Sequence, residues 1–290
     1  MRSDDAGPPA GDRQPRGLGR RARRSEDETV RRMLRTAADV VNRTGLTVSL
    51  DHLNLEEIIR LADVSRSAVY RRWPSKDLFV SDLVKELAAG AVPGIERDEI
   101  ELFRRVVRAH EDGFSTPQGR RDLITELFRE LALLDFEVLR TSAGWRTYIA
   151  LHATFLSLPD GGLREEVREA LAQSQRDHVA RVARSWVQLT QVFGYRLRPE
   201  LEATFDTMVN LFDATLRGLY LVSLATPDVA ERRLNARPFG ASGTEEWSLP
   251  AMGLASVAMT FLEPDPTVVW SDERSTAVRQ ALAPWTIPDA

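Results

Sequence analysis

The chain has 290 residues, a formal net charge of −4 and no cysteine. The absence of cysteine excludes disulfides, thiolate metal sites and cysteine nucleophiles, and it suits a reducing cytoplasm. No apolar run is long enough to cross a bilayer, and the N-terminal segment lacks the apolar core of a secretory signal. Apolar residues recur at helical spacing along most of the chain, so we expect an all-α, cytoplasmic protein without a membrane partner.

Charge is distributed unevenly along the chain. Residues 1–90 carry 17 Lys and Arg against 14 Asp and Glu, whereas residues 91–290 carry 22 against 29. A basic front and an acidic rear fit a protein that presents one end to a polyanion. Chance distribution of a solvated charged surface explains the asymmetry about equally well.

The first segment, residues 1–24, is rich in Gly, Pro and Arg and lacks apolar periodicity, which predicts a disordered arm. Its last arginines could reach DNA phosphates or a minor groove, although an inert solubilising tail is nearly as good an interpretation. The next four residues, Ser-Glu-Asp-Glu at 25–28, form a capping box that predicts the start of helix one. Gly45 predicts its end.

Two further helices are predicted before Pro74. Asn54, with Glu57 three residues later, is a second capping pattern and predicts a helix over about residues 55–61. A tight turn over residues 62–65 follows, and Ser65 is expected to cap a short third helix that Pro74 ends.

The third helix has an inner and an outer face. Val69 and Trp73 lie four residues apart and are expected to face the core with Leu61 and Val64. Small, hydroxyl and arginine side chains remain outside, which is the composition required of a helix that enters the major groove. These outer residues are Arg66, Ser67, Ala68, Tyr70 and Arg71. Lys76, in the first turn of the next helix, is well placed for a phosphate.

The run ADVSRSAVYRRWPSKD at residues 62–77, with Phe79 after it, resembles the signature of the TetR family of bacterial transcriptional regulators. The resemblance is carried by Val-Ser before the third helix, by Tyr70 followed three residues later by an aromatic, and by a Ser-Lys-acid start of the fourth helix. It covers residues 26–84, which is under a quarter of the chain.

The resemblance implies an all-α homodimer with an N-terminal three-helix helix-turn-helix domain and a C-terminal domain that often binds a small effector. It implies that Tyr70 and Lys76 hold the DNA backbone. It also implies base contacts from Arg66, Ser67, Ala68 and Arg71, and Arg72 completes the expected DNA-binding set.

The sequence departs from the family pattern at two positions. Asp63 stands where the family usually has glycine; Asp tolerates left-handed backbone, but its charge could weaken phosphate contacts. Ile59 stands where a small residue is usual, which suggests altered packing between helices two and three.

Helical periodicity continues in the rear two-thirds. We expect helices over about residues 98–110, 122–134, 142–158, 163–193, 199–224 and 249–262, a polar loop over 226–247 and a short helix near 275–282. The predicted domains are a DNA-binding domain at 25–90, a helical dimerisation and effector domain at 95–265 and a tail at 266–290.

Two functional surfaces are expected in this rear part. A pocket for a small hydrophobic or aromatic effector is assigned to the aromatic helix and its neighbour, although a helical core also needs aromatics. Its residues are Trp145, Tyr148, His152, Phe155 and Trp186. The resemblance implies that the last two long helices form a four-helix dimer interface, although their stripes could serve the core of one chain. The interface residues are Phe205, Val209, Phe212, Leu216, Leu254, Ala258 and Phe261.

No catalytic motif accompanies these features. The four histidines show no metal-binding spacing, and the sequence has no nucleophile elbow, phosphate loop or dinucleotide fingerprint. We therefore expect no enzyme activity, cofactor or metal.

The predicted function is that of a homodimeric repressor that binds a near-palindromic operator and is released by an effector. A DNA-binding regulator controlled by a protein partner or by abundance is the first alternative, and a helical enzyme is a remote one.

Overall fold

The computed structural model describes residues 18–45, 53–89 and 97–282. These residues are predominantly helical, with four short strands in two small sheets, so the expected all-α class is confirmed. The chain divides into two compact units, residues 1–86 and 87–290, which we call the head unit and the rear unit. The division lies four residues before the predicted end of the DNA-binding domain, inside a helix.

The head unit contains four helices in quick succession. They are α1 (Leu18–Thr44), α2 (Leu55–Ala62), α3 (Arg66–Arg72) and α4 (Lys76–Ala89), the last of which continues past the division. Asn54 caps α2 as predicted, since its Oδ1 accepts hydrogen bonds from the backbone N–H groups of Glu56 and Glu57 at 3.0 and 3.3 Å.

The predicted start of helix one needs correction. The backbone is already helical from Leu18, so Ser25 lies inside α1 and residues 18–24 of the expected arm are its first turns. This run consists mostly of Leu, Arg and Ala, which are strong helix formers, and it contains no proline. Glu28 pairs with Arg31 at 2.7 Å instead of closing a capping box. Residues 1–17 of the arm lie outside the described ranges, and Gly45 ends the helix as predicted.

Helix α3 is fixed through its inner face. Val69 and Trp73 are fully buried, as predicted, and the Trp73 ring meets Phe79 edge-on at 5.1 Å between centroids. Leu61, which was expected beside them, is exposed. The reason is that the buried stripe of α2 follows helical spacing and already contains Leu55, Ile58, Ile59 and Ala62, so Leu61 falls outside it.

Asp63 makes the turn between α2 and α3. Its backbone is left-handed, with φ 51° and ψ 53°, and it caps the C-terminus of α2. The turn therefore forms with Asp in place of glycine, as expected from the tolerance of Asp for left-handed backbone. The carboxylate is almost fully exposed and lies 3.8 Å from the guanidinium of Arg32.

The rear unit consists of helices around an apolar core, with two antiparallel strand pairs. The helices are α5 (Arg97–Ala109), α6 (Pro117–Thr141), α7 (Ala143–Ser157), α8 (Gly162–Phe193), α9 (Phe205–Ala225), α10 (Asp228–Glu231), α11 (Leu249–Phe261) and α12 (Asp272–Leu282). Strand β1 (Tyr195–Leu197) pairs with β4 (Leu262–Pro264), and β2 (Arg233–Ala236) pairs with β3 (Glu245–Ser248). Helix α6 packs against α5, α9 and α11 and so lies at the centre of the core.

Three details of the rear unit differ from the sequence prediction. Residues 226–247 are not one loop, because they contain α10 and the β2–β3 pair, in which buried Trp247 lies opposite Leu234. Helix α6 runs from Pro117 to Thr141, beyond the predicted bounds of 122–134, and the Thr116 hydroxyl accepts from the Gly119 N–H at 3.0 Å at its start. Pro199 starts only a single 3-10 turn, and α9 begins after Thr204.

Substitution of Asp63 tests the turn. Asp63→Gly should raise the free energy of unfolding of α2 and α3 by up to about 1 kcal/mol, because glycine adopts left-handed backbone without a Cβ penalty. Asp63→Val should lower it by about 1–2 kcal/mol, since a β-branched residue tolerates this conformation worst. Native-state hydrogen exchange of the α2 and α3 amides measures both changes.

Asp63→Asn is the matched control for this test. Asparagine also tolerates left-handed backbone but removes the charge that faces Arg32, so we expect a nearly unchanged exchange rate. A clear loss of protection in Asp63→Asn, or in Asp63→Gly, would show that the Arg32 ion pair, not the backbone, dominates at this turn.

Candidate nucleic-acid interface

The outer face of α3 presents the predicted DNA-binding residues together. Arg66, Ser67, Tyr70 and Arg71 are exposed, and Ala68 is half-buried. Ser65 precedes the helix, but its hydroxyl forms no cap to the α3 backbone and instead lies 2.8 Å from the Ser67 hydroxyl. The face therefore combines small polar groups with guanidinium groups, which is a suitable surface for base edges and phosphates.

Glu56 of α2 binds two residues of this face. The Tyr70 hydroxyl donates to Glu56 Oε1 at 2.7 Å, and Arg66 Nε donates to Glu56 Oε2 at 2.7 Å. The hydrogen bond from Tyr70 and then that from Arg66 hold the pKa of Glu56 below its usual value, while the same bond raises the pKa of Tyr70. The Glu56 carboxylate therefore stays ionised and occupies donors of Tyr70 and Arg66 on the outer face of α3.

Arg71 differs from Arg66 in this respect. It is exposed, and it forms neither an ion pair nor a hydrogen bond with the residues that the structure describes. A guanidinium in this state can turn toward a guanine without first breaking an internal contact.

Asp82 of α4 fixes the C-terminal end of α3. The Trp73 indole N–H donates to Asp82 Oδ2 at 2.9 Å, Arg72 Nη2 donates to the same oxygen at 3.0 Å, and Lys85 Nζ lies 2.8 Å from Oδ1. Burial raises the pKa of Asp82, but the bonds from Lys85 and Trp73 outweigh burial, so the pKa is lowered. Arg72 is thereby tied to α4, and Lys76, at the start of α4, is half-buried.

Neither Glu56 nor Asp82 was identified from the sequence. Glu56 lies 10 and 14 residues from its partners, and Asp82 lies 9 and 10 residues from Trp73 and Arg72. These separations exceed the reach of spacing rules within one helix. The one available signal was that a buried tryptophan indole needs an acceptor, which pointed to an acidic or amide side chain on a neighbouring helix.

In the rear unit, four of the five predicted effector residues lie along α7. Trp145 and Tyr148 are buried with ring centroids 5.3 Å apart, and the Tyr148 ring lies 4.2 Å from the exposed His152. Phe155 is half-buried below the guanidinium of Arg164. His152 lies at the surface, and its Nδ1 is 2.9 Å from the Tyr148 carbonyl oxygen of its own helix.

The fifth predicted residue, Trp186, belongs to a different aromatic group. Its ring stacks on Phe128 of α6 at 4.7 Å and meets Phe212 of α9 at 5.8 Å. The ring contacts among the described residues do not join Trp186 to the α7 aromatics. The structure thus places Trp186 in the packed core of the rear unit, where its contacts need no ligand to explain them.

A cluster of polar side chains lies beside the α7 aromatics. Arg217 of α9 donates to the Tyr148 hydroxyl at 2.9 Å, to Gln175 Oε1 at 3.0 Å and to Asp213 Oδ2 at 2.9 Å. Its guanidinium also lies over the Trp145 ring, 5.0 Å from the centroid. The cluster links α7, α8 and α9 and fixes the orientation of the Tyr148 hydroxyl.

Two carboxylates of this region have opposite pKa shifts. Burial raises the pKa of Asp213, but bonds and charges from His178, Arg217 and Gln175 outweigh burial and lower the pKa. The Asp135 residue of α6 keeps part of its surface exposed, yet its carboxyl group is enclosed by protein. Burial, and then repulsion from Asp213, raises the pKa of Asp135 to about 7.

Most residues predicted for the dimer interface lie on the inward faces of α9 and α11 and not on their outer faces. All but the half-buried Phe205 are buried inside one chain, because α9 and α11 pack on each other and on α6: Val209, Phe212, Leu216, Leu254, Ala258 and Phe261. The opposite face of α9 is apolar and exposed, with Leu211, Gly218, Leu221 and Val222, and Ser256 and Thr260 are exposed on α11. A partner chain that binds α9 would meet this outer face.

Comparison with protein-family models gives no match, and comparison with curated proteins gives none either. None of the described helices combines the length and the apolar composition that a membrane span requires. Within the described ranges, no three His, Asp or Glu side chains lie close enough together to hold a metal ion.

Substitution of Asp135 should change how stability depends on pH. The pKa of Asp135 is about 7 in the folded chain, whereas in the unfolded chain the carboxyl loses its proton near its ordinary pKa of 3.8. The folded state binds more protons between these values, so this group lowers the free energy of unfolding as pH rises through that interval. Asp135→Asn removes this loss of stability. The Tm of the variant relative to that of wild type should therefore rise between pH 5 and pH 8.

The control for this measurement is Asp112→Asn, which changes an exposed carboxyl in the same unit. We expect its Tm difference from wild type to be the same at both pH values. A Tm difference for Asp135→Asn that does not change with pH would contradict the raised pKa.

Proposed function

We propose that this protein is a DNA-binding transcriptional regulator of the TetR type, which acts in the cytoplasm as a homodimeric repressor on a near-palindromic operator. The observation that carries the proposal is the α2–turn–α3 arrangement. Val69 and Trp73 bury one side of α3, and the other side exposes Arg66, Tyr70 and Arg71. A short helix that is fixed from behind and cationic in front is what major-groove recognition requires.

Within this proposal the cations of the head unit have different roles. Arg71 carries no internal partner among the described residues, so it is assigned to a base edge. Lys76 lies in the first turn of α4, where the helix N-terminus adds to its attraction for a phosphate. Arg72 is held by Asp82 and contributes mainly by fixing α3, with its remaining donors available to the DNA backbone.

Glu56 sets a condition on DNA binding. Arg66 and Tyr70 are both bonded to its carboxylate, so a phosphate must compete with Glu56 for them. The exchange replaces one anion by another, so the gain in binding free energy is smaller than for a cation that has no internal partner. The role assigned to Glu56 is therefore to lower the nonspecific affinity of the head unit for DNA.

Dimerisation is assigned to the outer face of α9 with the neighbouring face of α11. This surface contains exposed leucine and valine side chains, and Leu211, Leu221 and Val222 are each more than 40% exposed. Two heads brought together by a twofold axis would read two half-sites of a near-palindrome. A small hydrophobic or aromatic effector that binds beside the α7 aromatics would release the DNA, with a typical coupling of about 1–3 kcal/mol.

A regulator without a small-molecule pocket is the second candidate. It is favoured by the packing of Trp145, Tyr148 and Trp186, whose rings are buried against other side chains of the same chain. In that case a protein partner or the abundance of the regulator would control DNA binding.

Two substitutions separate base readout from backbone binding. Arg71→Ala should weaken binding to a duplex selected from a random pool by about 1–3 kcal/mol and relax the preference at one base position per half-site. Lys76→Ala should weaken binding to selected and scrambled duplexes alike and reduce the salt slope by about 1. Salt-titrated fluorescence anisotropy on both duplexes measures these effects, and equal losses for both variants on both duplexes would contradict the division of roles.

Substitution of Glu56 tests its competition with phosphates. Glu56→Gln keeps an acceptor for the Tyr70 hydroxyl but removes the charge that holds Arg66, so affinity for any duplex should rise several-fold and the salt slope should steepen. The matched control is Glu57→Gln, because Glu57 is exposed, lies next to Glu56 and does not bond to α3. Weaker binding by Glu56→Gln than by Glu57→Gln would show instead that Glu56 orients Arg66 and Tyr70 for DNA.

A further inference from the structure

A cavity opens in the rear unit where α6 begins. Its volume is about 300 Å³, near the lower limit for ligand sites, so it fits a small molecule. The lining comes from the start of α6, from the β1–β4 pair and from the 3-10 turn that follows β2. Its residues are Pro117, Gln118, Arg120, Arg121, Tyr195, Gly240 and Pro264.

Tyr195 supplies a buried donor to this cavity. The residue is 7% exposed, and its hydroxyl forms no hydrogen bond with the described residues. Burial and then the charge of Asp122 raise the pKa of Tyr195, while the charges of Arg121 and Arg120 act in the opposite direction. Arg120 and Arg121 line the same cavity as Tyr195. The side chain is thus largely enclosed, and its hydroxyl is available to donate to a group bound in the cavity.

Two arginines place positive charge at the same cavity. Arg120 is held in position, since its Nη1 donates to the Phe114 carbonyl oxygen at 2.8 Å and its guanidinium lies 4.2 Å from the Trp270 ring centroid. Arg121 is exposed and makes no ion pair or hydrogen bond within the described ranges. Gly240 has φ +74°, and a Cβ there would lie 3.1 Å from Arg121 Nη1, so the glycine leaves room for this guanidinium.

The neighbouring carboxylate is already satisfied. Asp122 accepts from the Ser242 N–H at 2.8 Å, from the Ser242 hydroxyl at 2.6 Å and from the Gln118 amide at 3.0 Å. Burial raises the pKa of Asp122, but the Ser242 and Gln118 bonds outweigh burial, and the pKa is lowered. The cavity lining contains two guanidinium groups and no carboxylate, and the start of a 25-residue helix adds partial positive charge that offsets the nearby charge of Asp122.

We propose that this cavity binds a small anion, with a carboxylate or phosphate group held by Arg121 and the Tyr195 hydroxyl. The two donors are of the kinds that bind oxyanions most strongly, and the fixed Arg120 adds a second positive charge. The site belongs to the rear unit alone, so it stands or falls independently of DNA binding by the head unit.

The experiment is isothermal titration of the full chain with inorganic phosphate and, separately, with succinate, at an ionic strength held constant with chloride. We expect one of the two anions to saturate one site per chain in the millimolar range or below, which also decides between phosphate and carboxylate. Arg121→Gln and Tyr195→Phe should each lower the affinity by about tenfold or more, because each removes a hydrogen bond to a charged group.

The control is Arg146→Gln, which removes an exposed arginine of α7 away from the cavity lining and should leave the affinity unchanged. Without anion, Tyr195→Phe should keep the wild-type Tm, because the hydroxyl has no partner among the described residues. The proposal is overturned if neither anion binds, or if binding to either cavity variant matches wild type, since the anion would then lie elsewhere.

Discussion

The hydrogen bond between the Trp73 indole and the Asp82 carboxylate sets the geometry of the head unit. Trp73 has no exposed surface, so its N–H must find an acceptor inside the protein, and Asp82 of α4 supplies it at 2.9 Å. The same carboxylate holds Arg72 and Lys85, which compensates the cost of enclosing its charge. Loss of the carboxylate would leave a buried donor and two cations without their acceptor, and the orientation of α3 would no longer be fixed.

Carboxylates perform related tasks in both units. In the head unit Glu56 and Asp82 pair with arginine side chains, so the positive charge that the surface exposes depends on internal bonds as well as on composition. In the rear unit Asp213 of α9 binds Gln175 and His178 of α8, and it holds Arg217, which donates to Tyr148 of α7. These bonds fix side-chain directions, which apolar contacts alone do not define.

Local spacing allowed several predictions, although the capping box at Ser25 and the burial of Leu61 were wrong. The Asn54 cap, the end of α1 at Gly45 and the burial of Val69 and Trp73 each depend on residues within one helical turn. The long-range bonds of Glu56 and Asp82 could not be predicted, because they depend on how separate helices cross. The apolar stripes of α9 and α11 could also not be assigned from the sequence. Such a stripe predicts a buried face but does not tell whether the same chain or a partner covers it.

Both lysines of the chain lie on α4, at Lys76 and Lys85, whereas its other basic side chains outside the histidines are all arginine. Their ammonium groups differ in environment, because Lys85 is paired with Asp82 at 2.8 Å and Lys76 lies in the first helical turn. Acylation of lysine side chains would therefore modify this one helix and leave the rear unit untouched. Acylation of Lys76 would remove a charge from the head unit, as enzymatic lysine acetylation does.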